Sequence, residues 1–233
     1  MVAADGAARR SAPGTPGQSP GSARDEIMAR IRAARPTAPV TVPRDYHTAP
    51  AAGGNVDRPA EPELLDLLVD RLVDYRATVR RCPAAELADA LARLLGPVPT
   101  LAVPAGVPQS WLSTYLGRIR RDGDGAPLTV AELDEPGVAV LTGCAVAVAQ
   151  TGTLIMDGGP EQGRRVLSLV PDHHLCVVRA GQVVHGLPEA LGRLADPTRP
   201  LTMVSGPSAT SDIELDRVEG VHGPRRLDVL LVE

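Results

Sequence analysis

Apolar residues recur at helical spacing in the first half of this chain and form short unbroken runs in the second half. In PELLDLLVDRLVDYRATV (62–79), apolar positions recur every three or four residues with acidic residues between them, which predicts an amphipathic helix. The apolar positions are Leu64, Leu65, Leu68, Leu72, Tyr75 and Val79. A second helix is predicted for PAAELADALARLLG (83–96), which begins with proline and ends with glycine.

A third helix is predicted for QSWLSTYLGRI (109–119), because Trp111, Tyr115 and Ile119 would share one face. Further helices are predicted over 187–195 and 211–218. Short apolar runs bounded by turn residues predict strands at 100–104, 138–142, 145–150, 153–157, 174–181, 182–184, 201–205 and 227–232. Helices that interleave with strands indicate an α/β fold with helices on both faces of the sheet. The run 138–157 has hairpin character, so we expect a mixed, partly parallel sheet.

The N-terminal quarter has a different composition. Residues 1–22 are mostly Ala, Gly, Pro and Ser, which predicts a disordered tail. Ser22 precedes ARDEIMARIRAA (23–34), which is predicted to be a short helix, and a Pro/Gly-rich extended linker follows. The predicted organisation is a tail at 1–22, a helix and linker at 23–60, and the main α/β domain at 61–233.

Composition narrows the classes of function. All 24 basic residues are arginine, which excludes a P-loop lysine, a Schiff base and a lysine general base. The net charge of −4 and the 2% aromatic content argue against a nucleic-acid-binding surface. With no Phe, the core must consist of Val, Leu, Ile and Ala.

The three cysteines, Cys82, Cys144 and Cys176, are far apart in the sequence, and no CxxC occurs. This pattern predicts buried thiols in a reducing cytoplasm and argues against a zinc ribbon or an iron–sulfur cluster in this chain. No apolar run approaches the ~20 residues of a membrane span, and the N-terminus lacks an apolar signal segment. We therefore expect a cytoplasmic protein without a membrane span.

Two turns have the residues of a ligand site. Gly206-Pro207-Ser208 follows a predicted strand, and the adjacent backbone N–H groups could bind an anion such as a carboxylate. Ser and Thr residues in such a turn are also ordinary helix caps, so capping is the alternative interpretation. Thr151-Gly152-Thr153 offers hydroxyl and backbone N–H groups, and a tight hairpin without ligand would look the same.

Three histidines are candidates for proton transfer or metal binding. His222, between two glycines in GVHGP, is suited either to proton transfer or to hydrogen-bonding the turn. His173 and His174 are adjacent in a strand and should project to opposite sides, so we expect no metal site there.

Taken together, five stretches resemble the lactate utilization protein C family, with its LUD (LutC/YkgG) domain. They are DEIMARIRAA, LLDLLVDRLVDYRATVRR, AVAQTGTLIM, VPDHHLCVV and SGPSATSDIELDRVEGVHGPRRLDVLLV, and they extend from about residue 25 to the C-terminus. The resemblance implies a CoA-transferase-like or ribose-isomerase-like (NagB/RpiA) α/β fold. It also implies a role in oxidation of L-lactate to pyruvate, with two partner proteins that carry the iron–sulfur clusters and no cofactor in this chain.

The resemblance also suggests site residues. The family motif maps onto Thr151, Gly152 and Thr153, and onto a second group from the C-terminal stretch. That group comprises Gly206, Pro207, Ser208, Asp212, Glu214, Gly220, His222, Gly223 and Pro224. Of these, Thr151, Gly152, Thr153, Gly206, Pro207 and Ser208 are the expected substrate-binding residues. This chain departs from the family in having Gln150 where many members have glutamate, and glutamine serves neither as a base nor as a nucleophile.

Two other classes of function stay open at this point. An independent CoA- or nucleotide-dependent acyl-transfer or ligase enzyme of the same fold would need catalytic groups from Asp212, Glu214 or His222. A non-catalytic organic-acid-binding module would bind its ligand and gain thermal stability without turnover.

Replacing Ser208 by alanine separates the capping role from the binding role. If Ser208 only caps a helix, the free energy of unfolding falls by roughly 1 kcal/mol and lactate oxidation persists. Loss of lactate oxidation, with an unchanged circular dichroism spectrum, would instead indicate a ligand site.

Overall fold

The structure, a computed structural model, describes residues 23–35, 60–123, 125–196, 198–207, 209–210, 218–219 and 223–233. The chain divides into two compact units, Met1–Tyr46 and His47–Glu233. In the first unit, α1 (Ala23–Ala34) is the helix that the sequence predicts. The predicted tail, most of the predicted linker and Ser22 lie outside the described residues.

The second unit contains the remaining elements. Its helices are α2 (Glu61–Asp74), α3 (Leu87–Leu95), α4 (Val130–Leu133), α5 (Arg165–Leu169) and α6 (Leu187–Arg193). Its first strands are β1 (Thr78–Cys82), β2 (Thr100–Pro104), β3 (Arg118–Asp122), β4 (Val138–Gly143), β5 (Val146–Val148) and β6 (Thr153–Met156). The others are β7 (His173–Arg179), β8 (Val183–Val184), β9 (Thr202–Val204), β10 (Ala209–Thr210), β11 (Val218–Glu219) and β12 (Arg226–Val232). Short 3-10 turns occur at Ala84–Glu86, Gln109–Leu112, Ala149–Thr151 and Ala180–Gln182.

The main sheet has six strands in the order β1-β12-β7-β4-β2-β3, and every pair in it is parallel. The last strand of the chain, β12, is therefore inserted between the first strand and β7. Parallel strands need cover on both faces, which explains the apolar runs LCVV in β7 and VLLV in β12. The predicted α/β fold, with helices on both faces of the sheet, is confirmed.

Each face of the main sheet has its own core. On one face, Leu175 and Leu230 pack with the buried leucines of α3 and with Trp111. On the other face, Cys176 and Val229 pack against α2 and the inner side of a second sheet. Because an isolated helix of this length is marginal in water, the burial of the leucines of α2 stabilises the helix as well as the sheet. These leucines are Leu64, Leu65, Leu68 and Leu72.

The second sheet has four strands in the order β8-β5-β6-β9. Its β5–β6 and β6–β9 pairs are antiparallel, and β5 pairs with β8 in parallel. The predicted mixed character of the sheet is found here, because the antiparallel pairs lie outside the main sheet. The predicted hairpin over 138–157 forms only in its second half, since β4 belongs to the main sheet and β5 to the second one. The adjacent runs β7 and β8 are likewise in different sheets.

Two predicted helices are wrong in extent or kind. The helix predicted over 62–79 ends at Asp74, Arg76 adopts a left-handed φ of 67°, and Val79 lies in β1. Parallel pairing with β12, which the local sequence does not reveal, decides this boundary. The helix predicted over 109–119 is a 3-10 turn followed by β3, where Ile119 pairs with Leu101 of β2.

The C-terminal helix predicted over 211–218 lies outside the described residues except for Val218, which belongs to the antiparallel pair β10–β11. All three cysteines are free and buried, as predicted. In the described part of the chain, no helix is long and apolar enough to cross a membrane.

Gly152 should be essential to the packing of the second sheet against α2. Its φ is +60°, and an added Cβ would lie 2.9 Å from the Arg71 Cβ and 3.0 Å from the Arg71 carbonyl carbon. We expect Gly152→Ala to lower the free energy of unfolding, measured in urea, by about 2 kcal/mol or more.

Gly192, in α6, is the matched control, because an added Cβ would meet no atom within 4 Å. Gly192→Ala should raise the free energy of unfolding slightly, by up to about 1 kcal/mol. Equal effects of the two substitutions would show that the contact with α2 is not what requires glycine at position 152.

Candidate functional site

A cavity of about 330 Å³ lies between the loop that follows β9 and the start of β12. The sequence motif residues Gly206, Pro207, Gly223 and Pro224 form part of its wall. The other lining residues come from α5, the start of β7, β9 and β12. They are Arg165, Ser168, Leu169, His174, Thr202, Met203, Val204, Ser205 and Leu227. Two stretches that are 17 residues apart in the sequence thus face one cavity, because β12 inserts beside β7.

The Gly206 turn is held against the end of α2. Gly206 has a φ of +80°, and an added Cβ would lie 2.5 Å from the carbonyl oxygen of Tyr75 and 2.7 Å from its Cβ. Only glycine combines this backbone conformation with such a close approach. The motif glycine at 206 therefore has a packing reason, independent of any ligand.

The two predicted turns are joined by hydroxyl groups. The Thr151 Oγ1 lies 2.7 Å from the Thr153 Oγ1, which in turn lies 2.8 Å from the Ser205 Oγ. Thr151, Gly152 and Thr153 do not line the cavity, whereas Ser205, at the end of this hydroxyl chain, does. The structure thus connects the Thr-Gly-Thr turn to the cavity through Ser205.

His174 forms part of the cavity wall although its side chain has no exposed surface. Its Nε2 lies 2.8 Å from the hydroxyl oxygen of Thr142, and its Nδ1 has no hydrogen-bond partner among the described residues. Burial, together with the neighbouring charge of His173, lowers the pKa of His174 from 6.5 to about 4. The imidazole is therefore neutral at pH 7.

His173 projects to the opposite side of β7, as strand alternation predicts. Its Nε2 lies 2.8 Å from the Oδ2 of Asp228, which also accepts a hydrogen bond from Arg226 at 2.7 Å. Burial raises the pKa of Asp228, but the bonds from His173 and Arg226 outweigh it, so the pKa lies below its usual value. In the ranges that the structure describes, no group of three or more His, Cys, Asp or Glu is arranged to hold a metal ion.

A second cavity of about 540 Å³ adjoins the first and shares Arg165, Ser168 and Thr202 with it. It lies at the carboxyl ends of β2 and β3, under the glycine-rich loop that follows β6. Asp122, at the end of β3, is held there by Arg164 at 2.6 and 2.8 Å. The hydrogen bonds from Arg164 lower the pKa of Asp122, against the effect of burial.

Sequence reasoning missed Arg165, Ser168 and the buried role of His174. The glycine-rich DGGPEQGRR segment matches no dinucleotide fingerprint, and only its two consecutive arginines give a signal for an anion. Nothing local predicts that β9 and α5 line the same cavity, because their relative position is set by the tertiary fold. Gln150 has an exposed side chain and is not part of the cavity wall.

Five expected site residues lie outside the described residues: Ser208, Asp212, Glu214, Gly220 and His222. Of the expected substrate-binding residues, the structure brings Gly206 and Pro207 to the cavity.

Comparison with known proteins identifies relatives across most of the chain. A family model described as the LUD domain matches residues 138–232. Lactate utilization protein C of Deinococcus radiodurans is 51% identical over 173 residues, which cover 73% of this chain and 80% of that protein. Lactate utilization protein C of Anoxybacillus flavithermus is 26% identical over 187 residues, covering 74% of this chain and 82% of that protein.

One solved structure shares the fold. The crystal structure of a DUF162 family protein from Deinococcus radiodurans has a TM-score of 0.65 and 43% sequence identity to this chain. The match covers 75% of this chain and 99% of that one.

The neutral state of His174 should make stability depend on pH. The unfolded chain binds a proton at this histidine near pH 6.5, whereas the folded chain does so only near pH 4. Between pH 4 and 6.5 the unfolded state thus binds more protons than the folded state. The contribution of His174 to the free energy of unfolding is therefore fully present above pH 6.5 and is lost as the pH falls from 6.5 to 4. The loss from this group should be about 3 kcal/mol, measured as the free energy of unfolding in urea at each pH.

His174→Gln should remove that part of the slope, whereas the control His185→Gln should leave it in place. An identical pH dependence in wild type and His174→Gln would show that the buried imidazole is not the group responsible.

Proposed function

Because this chain belongs to the lactate utilization protein C family of LUD-domain proteins, we propose that it is a component of an L-lactate-oxidising system. In this proposal it acts with iron–sulfur partner proteins that convert L-lactate to pyruvate, and it carries no cluster of its own. The observation that supports it most is the 51% identity to a protein named lactate utilization protein C, over 80% of that protein's length.

The cysteines are consistent with this division of labour. Cluster ligands are thiolates, and a set of them must converge on one site. Cys82 packs on one face of the main sheet, whereas Cys144 and Cys176 pack on the other. The neighbouring Cys176 thiol, together with burial, raises the pKa of the Cys144 thiol well above its usual value. The proposal therefore assigns electron transfer to the partners, and the free cysteines fit a reducing cytoplasm.

The cavity is a candidate ligand site, so the contribution of this chain need not be limited to an interface with its partners. Among the described lining residues, one side chain is charged, that of Arg165, and two are the motif glycines Gly206 and Gly223. An arginine beside a small, partly apolar cavity is suited to a small carboxylate. We propose that the chain contributes to the reaction by holding an organic acid next to its partners.

Reconstitution tests the proposal directly. Dye-linked oxidation of L-lactate by the two iron–sulfur partners is measured with and without this chain. We expect the rate to fall at least tenfold when the chain is omitted and to return when it is added back. The folded variant Gly192→Ala should restore the rate as well as wild type does. Equal rates with and without the chain would refute a role in this reaction.

A further inference from the structure

The buried Nδ1 of His174 is a polar atom without a partner in the described part of the chain. Buried polar atoms in native proteins almost always have a partner, and leaving one unpaired costs free energy. Nδ1 belongs to a residue that forms the wall of the cavity. The missing partner is therefore expected to come from what occupies the cavity.

The neutral imidazole carries one ring proton, so the kind of hydrogen-bond partner that Nδ1 requires depends on the tautomer. If the Nε2 N–H donates to the Thr142 oxygen, Nδ1 is an acceptor and needs a donor. If the Thr142 hydroxyl donates to Nε2, Nδ1 carries the proton and needs an acceptor. A hydroxyl group satisfies Nδ1 in both cases, whereas a carbonyl oxygen satisfies it in only one.

Thr142 favours the first of these tautomers. Its hydroxyl has a second neighbour, the Met156 Sδ at 3.9 Å, to which it can donate while it accepts from Nε2. Nδ1 is then an acceptor without a donor, on a residue of the cavity lining, and the O–H of a ligand would supply that donor.

The cavity also offers a site for a negative charge. Arg165 is exposed, and no carboxylate of the described residues lies within ion-pair distance of its guanidinium. It is the one charged residue of the lining that the structure describes, apart from the neutral His174. Another part of the cavity wall is apolar, because it is formed by Leu169, Pro207 and Leu227. This part can contact the apolar portion of a ligand.

We propose that this cavity binds a small 2-hydroxy carboxylate, with the carboxylate on Arg165 and the hydroxyl on the Nδ1 of His174. The apolar wall accepts the short alkyl group. The choice of L-lactate within this class rests on the proposed function. A volume of about 330 Å³ is at the lower end of the range for small-molecule sites, about 300–1,000 Å³, as a ligand of this size requires.

Contact with His174 requires a small movement. Nδ1 has almost no accessible surface, so a ligand oxygen reaches it only after the side chains around it shift. Met203, which is about half exposed, is one of the lining side chains. The hydrogen bond between a ligand hydroxyl and Nδ1 thus offsets the free energy that this movement costs. An acid without a hydroxyl group forms no such bond and binds more weakly.

Calorimetric titration of the full chain, without partners, tests the site. We expect saturable binding of L-lactate, and binding of pyruvate and propionate that is at least tenfold weaker, because neither carries the hydroxyl. Arg165→Gln should weaken L-lactate binding at least tenfold, since it removes a charge-assisted pair. Arg118→Gln, the same substitution at an exposed arginine outside the cavity, should bind as wild type does.

Two substitutions at His174 separate its two nitrogen atoms. Asparagine positions an amide group near Nδ1, and glutamine positions one near Nε2. His174→Gln should keep the Thr142 contact and lose the preference for L-lactate over propionate, whereas His174→Asn should retain much of that preference. If neither variant folds, as judged by thermal unfolding, Arg165→Gln and the ligand series on the wild-type chain still decide the question.

No saturable binding of L-lactate, or binding that Arg165→Gln leaves unchanged, would overturn the proposal. Equal affinity for L-lactate and propionate would overturn the role of His174. These outcomes are distinct from failure of the proposed function. If lactate binds here but oxidation proceeds equally well without the chain, the proposed site stands and the proposed function is refuted. If oxidation requires the chain but lactate does not bind here, the proposed function stands and the proposed site is refuted.

Discussion

Insertion of the last strand between the first strand and β7 is the constraint on which the rest of this structure depends. Because β12 is parallel to both neighbours, its two faces and those of β7 must be covered, one by α3 and the other by α2 and the second sheet. The same insertion brings Gly223 and Pro224, which precede β12, to the cavity beside Gly206. The core and the candidate site thus arise from one pairing.

Close backbone approach is the second constraint. Gly152 and Gly206 both lie against the last turn of α2, where any Cβ would overlap Arg71 or Tyr75. The hydroxyl contacts from Thr151 through Thr153 to Ser205 then hold the two turns together. Glycines that look like ligand-binding signals in the sequence therefore have a packing role, and the cavity is a consequence of how the turns are held.

The buried polar groups of the main sheet include His174 and Asp228, near the amino ends of the inner strands β7 and β12. The Oδ2 of Asp228 contacts His173 and Arg226, so its charge is paired, but its Oδ1 has no hydrogen-bond partner among the described residues. His174 has only one of its two nitrogens paired within the described residues. In a family named for lactate utilization, an incompletely paired imidazole and an arginine at one cavity form the chemical feature that a small hydroxy acid would complete.

The sequence by itself determined the α/β class, most strand positions, the aliphatic core and the family, because periodicity, turn residues and motifs are local properties. It singled out Gly206 and Pro207, which line the cavity, but it extended a helix to Val79 and predicted another through Ile119. Both errors have one cause: parallel pairing with β12 or β2 is a long-range contact that overrides local spacing. For the same reason, only the tertiary structure decided that Arg165 and His174, on different elements, face one cavity.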